Sequence, residues 1–150
     1  MALLTVNGKE LQGKCTFRFD KLADKKYSAM DENGNETGGF HNIYLNLLQF
    51  SNKHLVAFWD CALDYLGKDK PSVEEIEGAL EARFEEDGDT EKAFKEAFRA
   101  VDESAFFRRQ AKNFWRDLEM MKETGADEEA KATNLKVYKM MTKAREELTA

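Results

Sequence analysis

Lys68-Asp69-Lys70-Pro71-Ser72-Val73-Glu74-Glu75-Ile76 is where one helix must stop and another must start. Pro71, the one proline of the chain, lacks an amide hydrogen and disfavours helical backbone at Lys70. Ser72 can accept the Glu75 amide while the Glu75 side chain reaches back to the Ser72 amide, the reciprocal pair that opens a helix. Upstream of this boundary lies the clearest strand signal of the chain; downstream the apolar period is helical throughout. Pro71 is therefore expected to separate a compact apolar half from a more charged half open to contacts between chains.

Working downstream, Val73, Ile76, Leu80 and Phe84 mark the apolar stripe of the helix that Ser72 opens, and Glu85-Glu86-Asp87-Gly88-Asp89 breaks it. Ala93, Phe94, Ala97, Phe98 and Val101 mark the next. Asp102 or Ser104 can cap a longer helix bearing Phe106, Phe107, Ala111, Phe114, Trp115, Leu118 and Met121, ended by Thr124-Gly125. A last helix is predicted from Asp127 to Leu148, with Ala130, Val137, Met141, Ala144 and Leu148 on one face.

Working upstream, the segment 53–66 carries Leu55, Val56, Phe58, Trp59, Ala62, Leu63 and Leu66 at helical spacing, with Gly67 at its end. Phe40 to Gln49 carries Ile43, Tyr44, Leu47 and Leu48 in the same way. Both are too apolar for surface helices and belong at the centre of the core. Ser28 to Gly39 loses the period, gathers Asn33-Gly34-Asn35 and Gly38-Gly39, and reads as a flexible loop. Asp20 can cap a short helix through Leu22 and Tyr27. Before it, Leu4 and Val6 run into Asn7-Gly8, a dipeptide that tolerates the positive φ angles of a two-residue hairpin turn. The return arm alternates, with Leu11, Cys15, Phe17 and Phe19 on the face that must lie on helices, since two strands alone are marginal in water. The fold class is mainly α, an N-terminal β-hairpin packed on a multi-helix body. One domain spans residues 1–124, and residues 125–150 form a C-terminal helical extension of it.

At 150 residues and 42% hydrophobic content the chain suits one globular domain. A net charge of -6 argues against general nucleic-acid binding, which shows as a basic excess. The charge is uneven: from Asp69 to Glu91 ten acids face Lys70 and Arg83, whereas Ser104 to Lys122 holds five bases against Asp117 and Glu119. This asymmetry fits two solvated helix faces, and it fits complementary patches for self-association or for a charged partner. No apolar run approaches the roughly 18 residues of a membrane span, and no hydrophobic signal core follows the N-terminus, so neither membrane insertion nor secretion is expected. Cys15 and Cys61 sit in apolar patterns, which suits buried reduced thiols and a cytoplasmic protein.

Sites of chemistry are sparse. His41 and His54 lack the spaced companions of a zinc site. Neither GxxxxGK[ST] nor GxGxxG occurs, Ser51, Ser72 and Ser104 sit in no nucleophile elbow, and Asp87-Gly88-Asp89 falls short of a calcium loop. No catalytic residue, metal or cofactor is expected. An enzyme built from Glu74, Glu77 and Glu81 on successive turns of one helix is the rival reading, against a solvated face. What stands out is aromatic: Phe106 and Phe107 point about 100° apart around a helix, and Phe114 with Trp115 repeats the arrangement two turns later. Either this helix packs on two neighbours, or part of the stripe, with Arg108, Arg109, Lys112 and Arg116 beside it, meets another chain. Met120, Met121, Met140 and Met141 suit an adaptable binding surface or core filling equally. Phe106, Phe107, Arg109, Phe114 and Trp115 are the candidate protein-binding residues.

The order of these features resembles a known family. Leu4-Thr5-Val6-Asn7-Gly8-Lys9-Glu10 and its alternating strand, a short helix from Phe19 to Tyr27, an apolar helix pair, Lys70-Pro71-Ser72-Val73-Glu74-Glu75-Ile76-Glu77, and an acidic run into Phe94-Lys95-Glu96-Ala97-Phe98 are similar to the tail assembly chaperones of long-tailed bacteriophages and prophages of Gram-positive hosts. The resemblance covers roughly residues 3 to 120; Thr124 to Ala150 lies beyond it. It implies a non-enzymatic factor of the host cytoplasm, absent from the mature virion, that coats the tape measure protein and helps recruit tail tube subunits during tail morphogenesis. It also implies self-association into rings or spirals, while the charge balance and the lack of a spanning apolar run lead to the expectation of no nucleic-acid or membrane partner. A helical regulatory adaptor that binds another phage or host protein is the alternative.

Overall fold

The computed structural model describes residues 1–30 and 32–150. Two antiparallel strands, β1 (Leu3–Val6) and β2 (Lys9–Gln12), open the chain in the register Leu4↔Leu11 and Val6↔Lys9. Asn7 and Gly8 both take positive φ, 51° and 79°, which gives the turn the twist of its strands. Leu4 and Val6 are buried, and their hairpin lies on the helix after Pro71.

The return arm is shorter than the alternation predicts. Pairing continues only to Gly13, whose amide donates to the Ala2 carbonyl, and α1 runs over Phe17–Tyr27. Thr16, not Asp20, is its cap: the Thr16 hydroxyl accepts the Phe19 amide. Helical geometry then sends Phe17 to the surface and Phe19 into the core, so the two cannot share a strand face. Apolar alternation over a few residues does not separate a strand from the first turn of a helix; the cap decides it.

The segment predicted as a loop closes instead on a small ladder, β3 (Ala29–Met30) paired with β4 (Glu36–Thr37); residue 31, part of that predicted loop, lies outside the described residues. Then come α2 (Gly39–Leu48) and α3 (Asn52–Ala62), both largely buried. α3 ends earlier than predicted, and Asp64–Asp69 tightens into a 3-10 segment with Gly67 inside it. α1 crosses α2 so closely that a Cβ on Gly39 would sit 2.0 Å from the Ala23 carbonyl carbon. No other residue type fits there.

The boundary at Pro71 has the predicted form. α4 (Val73–Asp87) opens on a full capping box, with the Ser72 hydroxyl taking the Glu75 amide and the Glu75 carboxylate taking the Ser72 amide. Asn7 in the hairpin turn donates its side-chain amide to the same carboxylate, which fastens the hairpin to the helix start. α5 (Glu91–Asp102) buries Ala93, Phe94, Ala97, Phe98 and Val101. Because these side chains join one continuous core with Trp59, Leu55 and Tyr44, packing is not confined to the half before Pro71, contrary to the expected division.

α6 (Arg108–Met121) begins later than predicted, because the Ser104 hydroxyl accepts the Phe107 amide and holds 105–107 as a turn. Phe106 and Phe107 therefore precede the helix. α7 (Glu128–Thr149), capped by Asp127, returns along α6 and touches α5 and α2. Glu74, Glu77 and Glu81 stand exposed on α4, and among the described residues no group of three or more His, Cys, Asp or Glu side chains could hold a metal ion.

Candidate functional site

Among the described residues the surface is indented between the hairpin and α5, between α2 and α6, and in a charged hollow of about 360 Å³ lined by Asp87, Asp89, Glu91, Lys92 and Lys95. The depression between the hairpin and α5, about 1140 Å³, is lined by Met1, Lys14, Cys15, Lys92, Lys95, Arg99 and Phe106 among others. Much of its charge is already engaged within the chain. Lys95 meets Glu91 at 3.3 Å, Arg99 meets Glu103 at 3.4 Å, and the Lys14 ammonium lies 4.7 Å from the Tyr65 ring centre. Glu96 accepts from Arg83 at 2.7 Å and from the Leu3 amide. The thiol of Cys15 at its edge is pushed up to about 11 by burial, against a smaller opposing hydrogen bond from Ser104, and is therefore a poor nucleophile at neutral pH.

The depression between α2 and α6 has a different character. It is a cleft of about 340 Å³ between α2 and α6, lined by Phe40, His41, Gln110, Asn113, Phe114, Asp117, Leu118 and Met121. Gln110, Phe114, Leu118 and Met121 recur at the i, i+4, i+8 and i+11 spacing of one helix face, so α6 supplies one wall. Phe40 and His41 from the first turn of α2 supply the other, and the His41 ring lies 5.3 Å from that of Phe114. Burial holds His41 below its ordinary pKa, which keeps this wall uncharged at neutral pH. Below the cleft the side chains are fixed by aromatic packing: Phe40 stacks on Phe107 at 4.6 Å and on Tyr44 at 5.3 Å.

At the far end of α6 the apolar surface continues outward. Met120 is 66% exposed and Met121 joins the cleft, while Met140 is 63% exposed on α7; Met141, in contrast, is buried. Flexible thioethers in water make a surface that can fit more than one partner shape.

The five sequence-level candidates separate on this framework. Phe107 is wholly buried between Phe19 and Phe40 and is a core residue. Phe106 is half-buried, edge-on to Phe17 at 5.0 Å, and lies at the hairpin groove rather than the cleft. Phe114 lines the cleft, and Arg109 is exposed one turn before Asn113 on the same helix face. Trp115 turns away beneath α7, where its Nε1 donates to the Tyr44 hydroxyl at 2.7 Å. Tyr44 donates in turn to Asp102 at 2.6 Å, and the Arg145 guanidinium lies 3.4 Å from Asp102 and 4.8 Å over the Trp115 ring. Burial first, and the Asp102 hydrogen bond second, push the Tyr44 hydroxyl well above its ordinary range, so it stays a neutral donor.

The profile of the family described as phage tail assembly chaperone protein, TAC, matches residues 3–116. The chain belongs to the phage tail assembly chaperone family. No curated protein and no solved structure matches it. In the chaperone the matched region runs from β1 to the middle of α6 and so includes Phe40, His41 and Phe114 but not Leu118, Met121 or α7. Phe40 and His41 had no local signal to mark them: α2 reads as a core helix, and only its pairing with α6, some seventy residues on, turns its first turn into a cleft wall. Among the described residues no helix is long and apolar enough to cross a membrane.

Proposed function

We propose that the chaperone binds the tape measure protein through the α2–α6 cleft and its methionine margin, keeping apolar tape measure helices soluble until tail tube subunits replace it. The observation that carries this reading is the occurrence of a cleft with an uncharged aromatic wall together with exposed Met120 and Met140 in a chain of this family. A helix laid in such a groove is held by apolar anchors one turn apart. Many modest contacts along a long tape would give a coat that forms readily and comes off in sequence. On this reading the protein is non-enzymatic, acts in the host cytoplasm, self-associates along the tape into rings or spirals, helps recruit tube subunits and is absent from the virion. The acidic α4 and the basic start of α6 supply complementary charge for that self-association.

The test is co-expression with the tape measure protein encoded nearby, followed by capture of the complex. Phe114→Asp and Met121→Asp, which place a charge on the apolar part of the cleft, should each abolish capture while leaving the far-ultraviolet spectrum unchanged. Capture of both variants at the wild-type level would refute the assignment of the cleft.

A further inference from the structure

α7 fully buries few side chains for its length, with Val137, Tyr138 and Ala144 only half-buried against the core. Of its 22 residues, Met141 and Leu148 are buried, whereas the 12 residues of α5 bury five. Its ion pair with the core, Arg145 to Asp102, is long at 3.4 Å, and Arg145 is 41% exposed. The surface beneath it carries its own hydrogen-bond chain, Trp115 to Tyr44 and Tyr44 to one oxygen of Asp102, while the other oxygen of this recessed carboxylate meets the cation that α7 supplies. The family match also ends at Arg116, ahead of the whole helix.

From these observations we infer that α7 is a displaceable strap, and that the face it covers on α5, α6 and α2 is a second helix-binding surface for which α7 competes with a partner helix. The occupant is defined by what α7 itself presents there: an amphipathic helix with apolar residues at the spacing of Val137, Met141, Ala144 and Leu148, and a cation where Arg145 meets the recessed Asp102 carboxylate and the Trp115 ring. The identification of that helix as a segment of the tape measure protein rests on the function proposed above. A strap of this kind keeps the aromatic face covered in the free chaperone and exposes it only against a competing helix, so the free protein is protected from aggregation through Trp115.

The test uses the full chain and a fluorescent synthetic peptide of residues 128–149 as the probe. Leu148→Asp should dislodge α7 and raise the affinity for the peptide at least tenfold over the unmodified chain, and adding Trp115→Ala should remove the gain. Equal affinity of Leu148→Asp and the unmodified chain would overturn the strap. A second measurement needs no variant: in hydrogen exchange on the unmodified chain, α7 amides should exchange at least tenfold faster than those of α5, and equal protection would also overturn it. An unlabelled tape measure segment should displace the peptide from Leu148→Asp. Retention of the peptide, with tape measure capture intact, would overturn the assignment of the occupant. Loss of capture with tighter peptide binding would instead overturn the functional reading and leave the strap in place.

Discussion

Trp115 donates its indole N–H to the Tyr44 hydroxyl across 71 residues of sequence, at 2.7 Å. The bond joins α6 to α2, and through Asp102 it joins both to α5. It also explains why two adjacent aromatics do different things. Phe114 has no polar handle and faces the cleft, whereas Trp115 has one and is turned inward to use it.

Tyr44→Phe keeps the ring and deletes the hydroxyl, leaving the Trp115 N–H without its acceptor and Asp102 without its shorter hydrogen bond. A loss of roughly 1–3 kcal/mol in urea unfolding is expected, the cost of stranding buried polar groups. Unchanged stability would show that water or Arg145 replaces the bond.

Phe107 and Phe114 should part cleanly on truncation. Phe107→Ala removes a wholly buried ring packed on Phe19 and Phe40 and should cost about 3–5 kcal/mol. Phe114→Ala, at a half-buried position, should cost much less but weaken tape measure capture. The reverse pattern, a structural Phe114 and a binding Phe107, would contradict the placement of the cleft.

Asp60 is buried at the centre of a charged cluster, 2.8 Å from Lys26, 2.6 Å from Lys70 and 2.6 Å from the Tyr27 hydroxyl. Burial pushes its pKa up, but the hydrogen bonds from Lys26, Lys70 and Tyr27 outweigh it and hold the group below its ordinary value. A carboxyl lowered on folding stabilises fully above its ordinary value of about 3.9, and that stabilisation is lost as the pH falls through the folded value. Thermal melts between neutral and strongly acid pH should show Asp60→Asn less stable at neutral pH and less sensitive to acid. Parallel curves for the two proteins would exclude Asp60 as a source of the acid dependence.

Gly39→Ala places a methyl group 2.0 Å from the Ala23 carbonyl carbon, where backbone rather than a flexible side chain must yield. The expected cost lies at or beyond the upper end of the roughly 1–3 kcal/mol range for overpacking. The same change at Gly78, exposed on α4 with nothing near its would-be Cβ, should stabilise by about 0.5–1 kcal/mol. Equal effects at the two sites would mean that α1 and α2 can move apart.

Much of the architecture was legible because it is set by short-range chemistry. The Asn7-Gly8 turn, the Ser72–Glu75 capping box and the apolar stripe of α5 each depend on residues within a few positions of one another. Errors came where two local signals competed. Phe17 and Phe19 alternate like strand residues but follow Thr16, and Phe106 with Phe107 fit a helical stripe but follow Ser104; in both places a hydroxyl accepting an amide three residues on moved the helix start.

The candidate site was half legible. Phe114, Arg109, Met120 and Met121 announce a surface through their excess on a charged helix, but Phe40 and His41 carry no such mark. The sequence by itself determined the hairpin, the helices, the boundary at Pro71 and the family, since periodicity, capping and turn chemistry act between neighbours along the chain. Only the tertiary structure decided that Phe107 is core, that Phe114 is cleft and that Trp115 is tied to Tyr44 beneath α7. Those fates depend on which helix lies opposite, and that is fixed by packing between segments tens of residues apart, where shape and buried hydrogen bonds rather than local preference select the partner.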